Sequence, residues 1–380
     1  MWFTSLVLKN LWRRKIRSLL TATSMAIAVC AVLSMLGTAD GYEQSFTALY
    51  EARGTDLIVS QAGKAQAISG KLDEDLGKRI KKIPGVRDVE GAFIDLYSFT
   101  QTPVVYVFGL DPNSVLMEES KLKQGRKLTH NDSRKLAMGS ALARNLNKKM
   151  GDTFDIIGEP FEIICIYDSF NLLESNGAVV PLREMQEVYK EPGKVTTFLI
   201  LFEESHKNPD KLEEIRGQIE AFRRPNGKAY DFLVQTTRDH VKANQETQLL
   251  KGLAWASSLI AMLIGFVSML NTMMMSITER IREIATFRAI GWRKLRIMRM
   301  IFLESLILSI VGAAFGVLLA IPLMEFLANF SATSSLVVSR ITLSVLAKGI
   351  GMGLLAGLLG AIYPAWIAAN LNPASALRHE

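Results

Sequence analysis

Four stretches of this chain run for twenty residues or more without a charged side chain, and nothing else in the sequence restricts its fold as severely. Ser18 to Ala39 is 22 residues, Gly252 to Thr278 is 27, Ser305 to Met324 is 20 and Gly349 to Leu377 is 29. A hydrocarbon core about 30 Å thick is crossed by roughly 20 residues of helix, so each run predicts a membrane span. Ile301 to Leu303 extend the third run forward across Glu304, and in the fourth only the part before Pro364 has to be regular helix. Between the first two runs the longest uncharged stretch, Leu96 to Leu110, is 15 residues broken by Pro103, too short to span. A signal-peptide core is about 7 to 15 residues, so the longer first run reads as a retained anchor. At 49% hydrophobic and 21% charged, the 380-residue chain is too apolar for a wholly soluble protein.

Charge placement then orients the spans, because short Lys- and Arg-rich segments stay on the cytoplasmic side. Lys9, Arg13, Arg14, Lys15 and Arg17 precede the first span without an acid among them. Between the second and third spans stand seven cations, from Arg280 to Arg299, against Glu279 and Glu283. Both segments are expected inside, and with them both termini. The expected organisation is a cytoplasmic amphipathic helix at residues 1–17, spans at 18–39, 252–277, 299–328 and 346–369, a cytoplasmic helix at 278–298, a short outer loop at 329–345 and a cytoplasmic tail at 370–380. Residues 40–251 form a large extracytoplasmic domain, which carries 29 Lys and Arg against 32 Asp and Glu. The net charge of +7 is thus a topological signal, and a nucleic-acid partner loses its support.

The external domain reads as mixed α/β, in two subdomains. β-Branched or aromatic runs lie at 57–60, 89–99, 104–108, 161–167, 178–180 and 196–202, with helical patterns at 72–83, 140–150, 182–189 and 209–223. Cys30 and Cys165 cannot build a disulfide scaffold, and the four histidines show no metal-ligand spacing, so neither a metal nor a cofactor is expected. No GxSxG elbow is present, and each Gly-Lys pair lacks the earlier glycine and following Ser/Thr of a phosphate loop; catalysis has no footing, and any ATP must be bound by a partner. Gly312 and Gly316, and the series Gly349, Gly353 and Gly357, are packing faces, within the chain or across a homodimer. Glu304, an acid one turn into the third span, is read as structural, snorkelling to the headgroups or pairing with Arg299 or Arg280. The methionines at 269 and 273–275 read as bundle packing.

The segment from Asn271 to Lys294 (NTMMMSITERIREIATFRAIGWRK) with Phe302 to Ser305 (FLES), and the ending YPA at 363–365 followed by NPASALR at 372–378, resemble the signatures of the MacB/FtsX-type permease subunits of ABC transporters. PGV at 84–86, and Gly139 followed by Gly151-Asp152, resemble landmarks of that family's external domain, and the similarity runs toward its DevC and haem-exporter branch. Ala285 and Trp292 depart from the pattern, which usually has glycine and a small residue there. The resemblance implies a membrane protein of four transmembrane α-helices with the α/β domain between the first and second, in a bacterial inner membrane. It further implies a separate ABC ATPase subunit, a homodimer, a periplasmic adaptor in some systems, and mechanotransmission that exports a hydrophobic or amphipathic cargo. An FtsX-like relay activating an external hydrolase and an anchored sensor without an ATPase are the alternatives. On this reading the cytoplasmic helix is N-capped by Thr278 and ends near Gly291, and its exposed polar residues Glu279, Arg280, Arg282, Glu283 and Arg288 meet the ATPase.

Overall fold

The computed structural model describes residues 15–52, 54–62, 70–97, 105–114, 117, 120–169, 172–223, 227–329 and 341–372. Two compact units divide the chain. One comprises Met1–Asp40, Leu250–Phe326 and Ser339–Glu380; the other comprises Gly41–Leu249 with Leu327–Val338.

The first unit is helical. It is built from parts of α1 (Lys15–Ala52), α8 (Gln245–Glu279) and α10 (Lys294–Asn329), together with α9 (Ile281–Ala289) and α11 (Leu343–Ala369). Four of these helices are long and apolar enough to cross a membrane, as four uncharged runs require. All four overrun the expected spans, α1 and α8 by the most. α1 continues past Ala39 and α8 begins ahead of residue 252, because the polar flanks contain no helix breaker and a helix does not stop where the lipid does. α11 also continues through Pro364, which membrane helices tolerate when neighbours satisfy the freed carbonyl. Leu259, Ile260, Leu263, Ile264 and Val267 of α8 are each more than half exposed, an apolar face suited to lipid.

The helix ends of this unit are tied in antiparallel pairs. Arg17 donates to Glu279, joining the start of α1 to the end of α8, and Lys294 Nζ donates to Asn370 Oδ1 at 2.6 Å, joining the start of α10 to the end of α11. At the opposite end Thr342, the N-cap of α11, donates to Asp40 Oδ2 at 3.0 Å. Glycines set the spacing between helices. A Cβ on Gly349 would lie 2.4 Å from Leu33 Cδ2, one on Gly316 2.8 Å from the Ala26 carbonyl, and one on Gly360 2.8 Å from the Phe266 carbonyl. The glycine faces therefore pack within the chain. Met269 and Met273 are buried in the same interior as Met25, while Met275 is 49% exposed.

The second unit is α/β. Its described strands are β1 (Leu57–Gln61), β2 (Leu72–Asp73), β3 (Val86–Tyr97), β4 (Val105–Leu110), β5 (Lys121–Gly125), β6 (Lys135–Gly139), β7 (Thr153–Ile156), β8 (Glu159–Asp168), β9 (Ala178–Pro181), β10 (Lys194–Val195), β11 (Thr197–Phe202) and β12 (Phe232–Thr236). Between them lie α2 (Asp75–Ile80), α3 (Ser140–Asn145), α4 (Leu172–Ser175), α5 (Leu182–Val188), α6 (Pro209–Glu220) and α7 (Thr237–Ala243). Ten strands form one sheet in the order β12-β1-β11-β3-β4-β9-β6-β8-β5, with β7 beside β8, and β10 pairs β2 separately. Among the described strands only the β4–β9 and β6–β8 pairings are parallel.

β3 serves both halves of this sheet. Residues 86–92 pair with β11, and residues 93–97 pair with β4. Where the pairing changes, Ile94 N–H donates to Thr196 Oγ1 at 2.9 Å and Thr196 N–H donates to the Ala92 carbonyl at 2.9 Å, so no backbone donor is stranded at the junction. Each half has its own apolar cluster, one around Leu76, Phe198, Phe202 and Ile219, the other around Phe93, Leu142, Phe161 and Met185.

Several titratable groups outside the bundle are buried, and their surroundings set how they ionise. Asp132 accepts from Arg126, from Thr129 N–H at 2.8 Å and from Thr129 Oγ1 at 2.8 Å, which holds its carboxyl far below the usual range. His240 is buried edge-on to Tyr50, and burial pulls its pKa down to about 4. Burial also raises the Cys165 thiol to about 11, an inert core residue. No cluster of metal-ligating side chains occurs among the described residues.

Candidate functional site

The segment joining α8 to α10 is short, and its sequence fixes where it bends. α8 ends at Glu279, and Arg280 leaves the helical region at φ −112°, ψ 17°. Thr278 does not cap α9; its hydroxyl donates back to the Met275 carbonyl at 2.9 Å, and Arg280 occupies the N-cap position without a side-chain bond. A single helix over 278–298 is therefore corrected to the nine-residue α9, because the chain turns at Arg280 and again after Ala289.

The second turn is a Schellman cap. Gly291 adopts φ +98°, Trp292 N–H donates to the Phe287 carbonyl at 3.0 Å, and Gly291 N–H donates to the Arg288 carbonyl at 3.1 Å. The accompanying apolar contact is Phe287 stacked on Trp292 with ring centroids 4.6 Å apart. Trp292, the departure from the family pattern, thus supplies the clasp of this turn. Arg288 Nη1 adds a bond to the Trp292 carbonyl at 2.9 Å.

On its inner side α9 is pinned by Ile284 and Ala285, both fully buried, and by an ion pair. Arg280 Nη1 donates to Glu304 Oε1 at 2.8 Å and Arg280 Nε to Glu283 Oε2 at 3.2 Å; the side chains of Arg280 and Glu304 are 6% and 4% exposed. Arg280 is therefore not an exposed contact residue, which corrects its place in the expected set. A buried acid inside a span demands a cation, and Arg280 supplies one. Of the two expected cations Glu304 takes Arg280, while Arg299 stays exposed.

The outer side is open. Glu279, Arg282, Glu283 and Thr286 are exposed, Arg288 is half-buried, and Ile290 at the tip is 72% exposed. Reading charges alone missed Ile290. The available signal was an isoleucine directly before the capping glycine, where the buried stripe of Ile277, Ile284 and Ile297 does not continue.

Four spanning-length helices, an α/β unit between the first two and a small pinned helix between the second and third give the layout of a multi-pass membrane protein. Residues 18–222 match the family model described as MacB-like periplasmic core domain, and residues 255–373 match the FtsX-like permease C-terminal model. The chain belongs to this MacB/FtsX-type family of ABC transporter permeases. It is 23% identical to the macrolide export ATP-binding/permease protein MacB of Nitrosomonas europaea, an alignment covering 97% of this chain and 58% of that protein. It is 25% identical to the uncharacterized ABC transporter permease MJ1507 of Methanocaldococcus jannaschii, over 98% of this chain and 96% of that one. With the uncharacterized ABC transporter permease YknZ of Bacillus subtilis it shares 23% over 99% and 98%. The chain thus spans less than three fifths of the MacB relative and nearly all of the other two.

Proposed function

We propose that this chain is the membrane subunit of an ABC exporter, working as a homodimer with a separate ATPase and moving a hydrophobic or amphipathic cargo by mechanotransmission. A separate ATPase is supported by the two relatives of matching length, which are named as permeases alone, whereas the longer relative is named as an ATP-binding/permease protein. The observation that carries the reading is α9, clamped to its own bundle on one side and presenting charge around an exposed isoleucine on the other. Such a helix receives a push without absorbing it. Arg282, Glu283, Thr286 and Ile290 form the proposed ATPase contact, with Glu279 and Arg288 at its edges. Both termini and α9 are cytoplasmic in this proposal, and residues 40–251 are outside.

The test is the chain purified from its native membrane together with the ATP hydrolysis it carries. Combining Arg282→Glu with Thr286→Arg, or Ile290→Asp alone, should remove that activity while leaving membrane insertion intact, since the remaining loop cations still hold the segment inside. The loss corresponds to a few kcal/mol of partner binding, about the range for interfacial charges and apolar anchors. Arg280 is left untouched because its replacement would damage the bundle. Retention of full ATPase activity by both variants would show that α9 is not the docking helix.

A further inference from the structure

Beside α9, and distinct from its outer face, a groove of about 950 Å³ runs along the first turns of α10 against α11. That is the size of a small-molecule site, roughly 300–1,000 Å³. Its upper wall carries Arg293, Arg296 and Arg299, and among the described residues no acid lines it. Among the described residues none of the three forms an ion pair, although Arg296 lies over the Trp292 ring, 4.2 Å from its centroid. Phe302, Leu303, Leu306 and Leu358 make the lower part. Arg296, Arg299, Leu303 and Leu306 are spaced three, four and three residues apart, one side of the helix. Along that side the lining changes from guanidinium to hydrocarbon within one turn. Trp292 and the 57% exposed Trp366 lie at this end of the bundle, which the Lys294–Asn370 bond closes; amphipathic rings gather at a bilayer's headgroup level.

We infer that this groove binds an anionic phospholipid, its phosphate held by Arg293, Arg296 and Arg299 and one acyl chain laid along Phe302, Leu303 and Leu306. Guanidinium groups grip phosphate oxygens in pairs, and basic recesses between spans are suited to such headgroups. A free phosphate has no use for the apolar floor. A soluble protein cannot reach Leu306, which lies about 18 Å along α10 from Lys294 and within the span. Only the choice of the cytoplasmic leaflet rests on the topology proposed above.

The experiment is native mass spectrometry of the full chain in detergent, titrated with phosphatidylglycerol, with phosphatidylcholine, and with phosphatidylglycerol in the presence of millimolar inorganic phosphate. Phosphatidylglycerol should bind in preference, and phosphate should not displace it. Each of Arg293→Gln, Arg296→Gln and Arg299→Gln should weaken binding about fivefold, the effect of one basic residue at a charged membrane surface. Leu306→Trp, which keeps every charge and fills the floor, should weaken it too, while Arg296→Lys, which keeps the charge but loses the paired grip, should weaken it less than Arg296→Gln. Circular dichroism identifies any variant that fails to fold; Leu306→Trp and Arg296→Lys then carry the decision. Equal uptake of the two lipids, displacement by phosphate, or unchanged binding by Leu306→Trp would each overturn the site. The assay is blind to which side faces the cytoplasm and needs no ATPase, so its failure and the failure of the exporter reading are separable.

Discussion

Arg280 and Glu304 are 24 positions apart in sequence and both nearly fully buried. Such a pair contributes little net stability, yet removing one partner strands the other charge. Arg280→Gln or Glu304→Gln should each lower stability by about 3–5 kcal/mol, whereas Arg280→Met with Glu304→Met should come close to the native protein. Thermal unfolding of the two single variants and the double variant decides this; additive losses would mean the two groups act independently. His240 gives a second prediction in the external unit. Its folded pKa of about 4 lies below the ordinary 6.5, so between these values the unfolded chain binds a proton that the folded chain refuses. Stability should be unaffected above pH 6.5 and should fall as pH drops through that window, by about 2 kcal/mol at pH 5. The drop in melting temperature of the full chain between pH 7 and pH 5 should shrink in His240→Gln; an equal drop would assign acid sensitivity elsewhere. Neither feature was fully legible beforehand. The sequence marks Glu304 as an acid needing a partner, but a charge written in a basic loop looks exposed until the fold shows that the loop doubles back over the span.

At the scale of elements, backbone approach sets the limits of substitution. A Cβ at Gly360 would press on the Phe266 carbonyl of α8, while one at Gly351 meets nothing within 4 Å. Gly360→Ala should therefore destabilise the bundle by about 1–3 kcal/mol. Gly351→Ala, on the same helix, should be neutral or gain up to about 1 kcal/mol from helix propensity. Melting the two variants side by side tests the contrast, and equal effects would show that the glycine face is not what spaces α11 from α8. Spans and glycine faces were readable because lipid imposes length and absence of charge on every residue at once. β-Branched and aromatic runs likewise anticipated β1, β3, β4, β8, β9 and β11. β6, written KLAMG, was not anticipated, although it is nearly all buried between β8 and β9. It carries no β-branched side chain, and its strand character comes from neighbours on both sides.

For the whole molecule, the orientation in the membrane is the claim with the widest consequences. A cysteine placed at Asn226 should react with an impermeant maleimide in intact cells or spheroplasts, and one at Lys294 only after lysis, with buried Cys30 and Cys165 as a silent background. The opposite pattern would put α9 on the side where no ATP is hydrolysed. An expected orientation was legible because seven cations in one short segment weigh on insertion as a sum. What α9 does with its individual charges was not, since burial divides neighbours as close as Arg280 and Arg282.

The double allegiance of β3 carries a mechanical consequence. Two lobes joined by a loop can swing, each presenting its surface at whatever angle a partner asks. Here a single extended strand is stitched to both, with Thr196 closing the seam. Such a strand acts as a splint: torque applied to one lobe reaches the other as bending of a common beam, and the pair rotates together or loses its hydrogen bonds together.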